Sequence, residues 1–161
     1  MPNLQNHFPT KPDLGVALME RYLAQLQAAL TDAAEKPTAT ESLQSLVQLF
    51  ESTERAGLLC VCGSLAADVE TLPTPVRRLV QRYLESSCDF VEKQIARGTS
   101  SGEFEPQASP EDLAAALIFG LHGALAVGRA LDGPDRARRR RRASTTVARV
   151  FWSGLGIEPT S

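Results

Sequence analysis

The hydrophobic and polar positions of this chain follow a helical period along most of its length. The clearest stretch begins at Ser109, and between Leu113 and Leu131 the only strongly polar side chains are His122 and Arg129. A surface helix needs an apolar stripe on one side only, so a helix that is apolar nearly all round must be covered nearly all round. We therefore predict that this helix forms a wall of the core on one side and a subunit interface on the other.

Other segments repeat their apolar residues at the same spacing, and none has the alternation of a strand. Thr10 and Asp13 have the spacing of a capping box and predict a helix start, as do Ser109 and Asp112. The predicted helices cover residues 10–33, 40–57, 58–69, 74–98 and 109–131, with a last one from Asp135 whose Val147, Val150, Phe151 and Leu155 share a face. Thr74 is expected to cap the fourth helix and Gly98 to end it. The pattern predicts an all-α bundle of about six helices in one domain.

Composition narrows the class of protein. The chain has 161 residues, a formal net charge of −2 and three cysteines. This charge gives no overall attraction to nucleic acid or to an anionic membrane. An odd number of cysteines does not form a disulfide framework, so a reducing cytosol is the simplest interpretation. No signal peptide and no uninterrupted membrane span is evident, and we expect a cytoplasmic protein without a membrane partner.

Two groups of residues could carry chemistry in the interior. Cys60 and Cys62 are two apart on a predicted helix and point to roughly opposite sides, which favours buried apolar roles over metal binding. Redox sensing that involves them or Cys88 is the alternative. His122 is either a core or interface histidine or a contact to a bound molecule, and no acid lies beside it in sequence. The sequence therefore predicts no catalytic residue, no metal site and no cofactor.

The densest charge in the chain lies at the start of the last predicted helix. Arg138 to Arg142 are consecutive arginines, and Arg136 precedes them. Clustered guanidinium groups could bind phosphate and release counterions from nucleic acid. The competing interpretation is a solvated helix start, because the chain as a whole is acidic and no aromatic residue interleaves the run.

Several motifs resemble the TetR family of bacterial transcriptional regulators. In the segment Leu4 to Leu14, LQNHFPTKPDL, residues His7, Phe8, Thr10, Lys11 and Leu14 match the junction between recognition helix and connecting helix, whereas Gln5 stands where tyrosine is usual. Further blocks are similar to the effector domain of one TetR subgroup and occur in the same order: Leu59–Asp68, Thr71–Pro73, Gly98 with Gly102–Phe104, Ser109–Ala114 and Gly120–Leu125.

This resemblance implies a homodimeric repressor that responds to a small apolar or amphipathic effector. The expected effector-binding residues, chosen as large or weakly polar side chains on inward faces, are Tyr22, Leu46, Phe50, Cys62, Leu65, Tyr83, Phe90, Phe119 and His122. The last two long helices would pair with those of a second copy in a four-helix interface through Leu117, Gly120, Leu121, Ala124, Val147 and Phe151. Plain core packing remains an alternative for each effector candidate, because cavities and cores share an apolar lining.

The resemblance also divides the chain. Residues 1–10 correspond to a remnant of a helix-turn-helix, and residues 11–161 to the effector-binding and dimerisation domain. His7 and Lys11 match positions that contact the DNA backbone, and DNA is an expected partner only if the missing amino-terminal helices are present. Two rival functions stay open at this point. One is a dimerisation-only paralogue that sequesters a full-length regulator, and the other is a helical enzyme that uses His122 with a carboxylate.

Overall fold

The computed structural model describes residues 10–55, 61–128 and 135–157, and within these ranges the regular structure is helical. The helices are α1 (Lys11–Ala34), α2 (Ala39–Arg55), α3 (Val61–Ala67), α4 (Thr74–Ser101), α5 (Pro110–Gly128) and α6 (Arg136–Gly154), with a 3-10 turn at Val69–Thr71 between α3 and α4. The predicted all-α bundle is confirmed. The predicted third helix ends at Ala67, two residues before its predicted end, and its predicted first residues, with Cys60, lie outside the described ranges.

Two helix starts follow the predicted capping chemistry. The backbone N–H of Asp13 donates to Thr10 Oγ1 at 3.3 Å, and the N–H of Thr10 donates to the Asp13 carboxylate at 3.0 Å. At α5 the N–H of Asp112 donates to Ser109 Oγ at 3.1 Å. These bonds satisfy backbone donors that the first turn of a helix leaves without an internal partner.

The boundaries of α4 differ from the sequence prediction. Thr74 is the first helical residue, Pro73 occupies the cap position, and no side chain caps this helix. At the other end α4 continues past Gly98 to Ser101, and Gly102 ends it with a φ of 77°. This left-handed conformation suits a residue without a Cβ, so the glycine that ends the helix is Gly102 and not Gly98.

Contacts between the helices fix their directions. A Cβ built on Gly15 would lie 3.2 Å from Val76 Cγ2, while Arg97 Nη2 donates to the carbonyl of Lys36 at 2.9 Å, so α1 and α4 run parallel. A Cβ on Gly120 would lie 2.8 Å from Val147 Cγ1, and one on Gly154 would lie 2.8 Å from Leu113 Cδ2, so α5 and α6 run antiparallel.

These directions define two ends of the bundle. Helix α5 begins where α4 ends, and the backbone N–H of Glu105 donates to the Leu155 carbonyl at 2.9 Å, which places the end of α6 there too. We call this the Glu103 end. Helices α1, α4 and α6 therefore begin, and α5 ends, at the opposite end of the bundle, which we call the Lys11 end.

At the Glu103 end, two side chains from α4 and the loop after it hold the turn between α1 and α2. Arg97 donates to the carbonyls of Lys36 at 2.9 Å and Pro37 at 2.7 Å. The Glu103 carboxylate accepts from the N–H of Ala39 at 3.1 Å and from the N–H of Thr40 at 3.0 Å. Glu103 thus caps α2 from another part of the chain, which satisfies first-turn donors as a local cap would.

Helix α5 provides the central wall of the core. Leu117, Ile118 and Leu121 have no exposed surface, and they pack with residues from every other long helix. On α6, Phe151 and Leu155 are buried, but Val150 is 65% exposed, so the prediction that Val150 shares their inward face is wrong. The reason is geometric, since Val150 lies about 100° of helical rotation from Phe151.

Candidate functional site

The imidazole of His122 lies in an aromatic cluster inside the bundle. Its ring centre is 5.0 Å from that of Phe50 on α2, with an interplanar angle of 74°, and 6.3 Å from that of Tyr83 on α4, with an angle of 89°. Both contacts are edge-to-face, which is a favoured arrangement for aromatic rings. His122 is 8% exposed, so three helices bring their rings together away from bulk solvent.

A backbone carbonyl fixes the orientation of this ring. His122 Nδ1 lies 2.8 Å from the carbonyl oxygen of Ile118, one helical turn earlier on α5. Because a carbonyl only accepts hydrogen bonds, Nδ1 carries the proton, and in the neutral imidazole Nε2 is then an acceptor. The cluster therefore combines apolar ring surface with a polar imidazole of defined tautomer.

Helix α3 closes over the cluster at Gly63. A Cβ built on Gly63 would lie 2.9 Å from His122 Cδ2, closer than real Cβ contacts, so the backbone of α3 approaches the imidazole as only glycine permits. The neighbouring Cys62 is fully buried, and its Sγ lies 3.8 Å from the Val80 carbonyl on α4. This short helix therefore contacts α4 and α5 at the same place.

The structure brings most of the predicted effector-binding residues into or onto one core. Leu46, Phe50, Cys62, Tyr83, Phe90 and His122 are buried, and Tyr22 and Leu65 are partly buried against that core. Phe119 does not join them. It is 59% exposed, so the prediction that its ring faces inward is wrong. The buried face of α5 follows Ile118, Leu121 and His122, and Phe119 lies beyond the edge of that face.

A separate surface groove of about 380 Å³ lies at the Lys11 end and contains none of these residues. It is lined by Val69, Glu70, Thr74, Arg77, Arg78 and Gln81. Its polar and charged lining contrasts with the aromatic cluster, so it is not the predicted apolar effector site.

The two cysteines in the described ranges, Cys62 and Cys88, give little support to redox sensing. Burial raises the pKa of the Cys88 thiol, and the negative charges of Glu92 and Asp89 raise it further. A raised pKa lowers the thiolate fraction, and the thiolate is the reactive form. Cys62 is fully buried, which agrees with the apolar role expected of it.

The predicted dimer interface requires correction. Leu117, Leu121 and Phe151 are at most 3% exposed within a single copy, so they are core residues and not available to a second copy. Gly120 allows the close approach of Val147 from the same chain. Ala124 is half-buried. The close contact at Gly120 is therefore between α5 and α6 of one copy.

A different face of the same two helices is apolar and exposed. Phe119, Val127 and Val150 are 59%, 64% and 65% exposed. On α5, Ala116, Phe119, Gly123 and Val127 follow one another at spacings of three and four residues, which places them in one stripe. We call Ala116, Phe119, Gly123, Val127 and Val150 the outer apolar face.

This face also explains why α5 resembles a membrane span. Pro110–Val127 is 18 residues long with a mean hydropathy of 1.3, and 39% of it is buried inside the molecule. By length and hydropathy alone, this helix could span a membrane, whereas no uninterrupted span is evident in the sequence. A core helix with an apolar outer stripe meets the same length and hydropathy criterion equally well.

Comparison with known proteins decides the family. Residues 39–144 match the family model described as "Tetracyclin repressor-like, C-terminal domain". The chain belongs to the TetR family. The TetR assignment rests on the part of the chain that runs from the start of α2 into α6, and it confirms the resemblance seen in the sequence motifs.

Solved structures of other proteins share the fold. A transcriptional regulator from Agrobacterium tumefaciens superposes with a TM-score of 0.77 at 23% identity, over 91% of this chain and 77% of that one. A regulatory protein TetR from Rhodobacter sphaeroides gives 0.77 at 22% identity, over 94% and 79%. The reduced form of NemR from E. coli gives 0.68 at 17% identity, over 89% and 75%.

The chain also matches part of a longer TetR-type repressor. The HTH-type transcriptional repressor DhaR from Mycobacterium sp. (strain GP1) is 24% identical over 123 residues, which are 74% of this chain and 61% of that protein. The chain therefore spans less than two thirds of this relative. Residues 1–9 of the predicted remnant at 1–10, with His7 among them, lie outside the described ranges. Lys11 is exposed as the first residue of α1.

Proposed function

We propose that this chain forms the effector-binding and dimerisation part of a TetR-type repressor. The observation that carries the proposal is the position of His122 between Phe50 and Tyr83, in an interior shared by α2, α3, α4 and α5. Ring edges and one imidazole suit a small apolar or amphipathic effector with a single polar group. An enzymatic role for His122 is not proposed, because the family consists of transcriptional regulators.

The helix directions suggest how an effector acts on DNA binding. A molecule that enters the cluster contacts Tyr83 on α4, and α4 runs parallel to α1 with Gly15 beside Val76 at the Lys11 end. A displacement of α4 is therefore transmitted to the start of α1. In a TetR-type repressor this helix leads from the DNA-binding domain, so an effector that prefers one arrangement of α4 shifts the population of DNA-binding states.

We further propose a homodimer that forms through the outer apolar face. Exposed Phe119, Val127 and Val150 are large apolar side chains on adjacent helices, and a second copy would cover them. A two-fold interface joins the same patch on both subunits, which gives a four-helix contact from two α5 helices and two α6 helices. TetR regulators are generally dimeric and bind DNA and small effectors. We expect a repressor that acts on DNA in this way to work in the cytoplasm.

The effector site can be tested with four probes of different chemistry: phenol, indole, decanoate and 1-octanol. A probe that binds the folded state raises the melting temperature, and saturation at about 100 times Kd stabilises by about 2.7 kcal/mol. We expect at least one probe to stabilise the wild type. Phe50→Leu and His122→Asn should weaken its binding by roughly tenfold, which corresponds to about 1.4 kcal/mol.

The matched control is Leu18→Ala, since Leu18 is an apolar residue of α1 that is 39% exposed and lies outside the outer apolar face. This variant should bind the probe as the wild type does. Probe binding that is unchanged in Phe50→Leu and His122→Asn would locate the site elsewhere. A failure of all four probes to bind would also count against the proposed effector site.

A further inference from the structure

Helix α6 begins with a concentration of positive charge that the proposed effector site does not use. Six of the seven residues from Arg136 to Arg142 are arginine. The described side chains among them, Arg138, Arg139, Arg141 and Arg142, are all exposed. The adjacent last turn of α5 adds exposed Val127 and no charge, and Asp135 is the nearest acid in sequence.

The helix directions place this arginine run at a defined end of the molecule. Since α6 is antiparallel to α5 and ends at the Glu103 end, Arg138 lies about 24 Å along α6 from Gly154, at 1.5 Å per residue. By the same rise, Arg77 lies about 32 Å along α4 from Gly98. The arginine run, Arg77, Arg78 and Lys11 are therefore all toward the Lys11 end.

Charge is distributed unequally between the two ends. The acids toward the Lys11 end include Asp13, Asp68, Glu70 and Asp135, and the Asp13 carboxylate is engaged in the cap of α1. The Glu103 end carries six acids against four bases, Lys36, Lys93, Arg97 and Arg149, and Arg97 is bound to backbone carbonyls there. These acids are Glu35, Glu41, Glu103, Glu105, Glu111 and Asp112.

We propose that the arginine run, helped by Lys11, Arg77 and Arg78, binds the phosphate backbone of double-stranded DNA without reading its sequence. Guanidinium groups bind phosphate oxygens in a bidentate geometry, and each contact releases condensed counterions. Backbone contacts position a protein on DNA and do not specify sequence. This surface is separate from a helix-turn-helix, and the choice of DNA as partner rests on the proposed function as a repressor.

DNA fits this surface better than an anionic membrane does. A helix that binds a membrane surface needs an exposed apolar face beside its basic one. Helix α6 buries Ala148, Phe151 and Leu155 inside the bundle. Its exposed Val150 belongs to the outer apolar face, which we assign to the second copy.

The test measures the binding of the full 161-residue chain to a fluorescein-labelled duplex of random sequence, by fluorescence anisotropy at several KCl concentrations. Four arginine–phosphate contacts predict a slope of about −3.6 in log K against log [KCl], or a loss of roughly 150-fold between about 50 and 200 mM salt. The variant R138Q/R139Q/R141Q/R142Q should lose most of this binding and most of the slope.

The matched control is R21Q/K36Q/K93Q/R149Q, which removes four positive charges from exposed positions outside the Lys11 end. It should retain at least half of the wild-type affinity, whereas the arginine variant should lose tenfold or more. Circular dichroism should show equal helix content in all three proteins. If both variants lose duplex affinity equally, net charge alone explains the binding and the proposal is overturned.

Two further results would also overturn it. The first is wild-type binding to the duplex that does not depend on salt. The second is co-sedimentation with vesicles that contain phosphatidylglycerol in the absence of duplex binding, which would identify a membrane as the partner. None of these measurements involves the effector probes or the aromatic cluster, so a failure here is distinguishable from a failure of the effector site.

Discussion

The ring of Phe104 lies against the backbone of Gly98, in a contact that only glycine at position 98 allows. A Cβ built on Gly98 would lie 2.9 Å from Phe104 Cγ and closer still to other atoms of the ring. Phe104 is 4% exposed, and the N–H groups of Glu103 and Phe104 both donate to the Gly98 carbonyl. This contact folds the chain back after α4 and places Glu103 at the start of α2.

We expect Gly98→Ala to destabilise the protein, although alanine usually favours a helix over glycine. Overpacking a buried contact costs about 1–3 kcal/mol, which exceeds the roughly 0.5–1 kcal/mol of helix propensity gained. Urea denaturation at neutral pH measures the difference in the free energy of unfolding. In a Phe104→Ala background the same substitution should cost little or be favourable, and equal costs in both backgrounds would exclude the ring as the cause.

The same glycine shows how far the sequence alone could predict the fold. Helix positions, the capping pairs at Thr10 and Ser109, and an α5 that needs cover on most sides all follow from local patterns. The predicted end of α4 at Gly98 is wrong because this glycine serves the contact with Phe104, whose packing is a tertiary contact. Local patterns report which residues are apolar and which share a helix face, but not which neighbour covers them.

The candidate site shows the same limit. His122 and Phe50 could be selected because large or weakly polar residues stood on faces expected to point inward. Leu117 and Phe119 were each assigned to the wrong environment, since the sequence shows that α5 is apolar all round but not which side meets α6 of the same copy. Gly63 was missed as a site residue, and no signal in its local sequence predicts that its backbone approaches the imidazole.

Replacement of Glu103 should weaken the start of α2. Glu103→Ala removes the acceptor for the N–H groups of Ala39 and Thr40, and the loss of an N-cap typically costs about 1 kcal/mol. In a domain of this size that corresponds to a fall of about 2–4 °C in melting temperature. Differential scanning calorimetry measures it, and Glu105→Ala, at an exposed acid two residues later, should leave the melting temperature nearly unchanged.

The contribution of Glu103 should also depend on pH. The N–H of Thr40 is the main cause that lowers the pKa of Glu103 from 4.5 to about 2, with further hydrogen bonds from Ala39 and Ser101. A depressed pKa in the folded state stabilises the protein above the pKa of the unfolded state, and this stabilisation is lost as the pH falls. The stability difference between wild type and Glu103→Gln should therefore be constant above about pH 5 and decrease between 4.5 and 2. A difference that does not change down to pH 2 would mean that ionisation of Glu103 is irrelevant to the cap.

Gly63→Ala should alter the effector site directly. The added methyl group would lie 2.9 Å from His122 Cδ2, so either α3 or the imidazole must move. We expect roughly tenfold weaker binding of any probe that stabilises the wild type, measured by isothermal titration calorimetry. Ala67→Gly is the matched control, because it changes one methyl group at an exposed position of the same helix. Unchanged probe affinity in Gly63→Ala would mean that α3 does not contribute to the effector site.

The outer apolar face predicts the oligomeric state and how to change it. Sedimentation equilibrium should give a mass of twice 17.4 kDa for the wild type. Phe119→Glu should give the mass of a single chain. Association would bury an unpaired carboxylate, and a two-fold interface would contain this carboxylate from each copy, so the dimer is disfavoured. The helix content should not change, since Phe119 is 59% exposed in one copy. Leu18→Glu, at an apolar residue of α1 that is 39% exposed, should remain dimeric. If Phe119→Glu stays dimeric while Leu18→Glu dissociates, the two copies associate through α1 and not through α5 and α6.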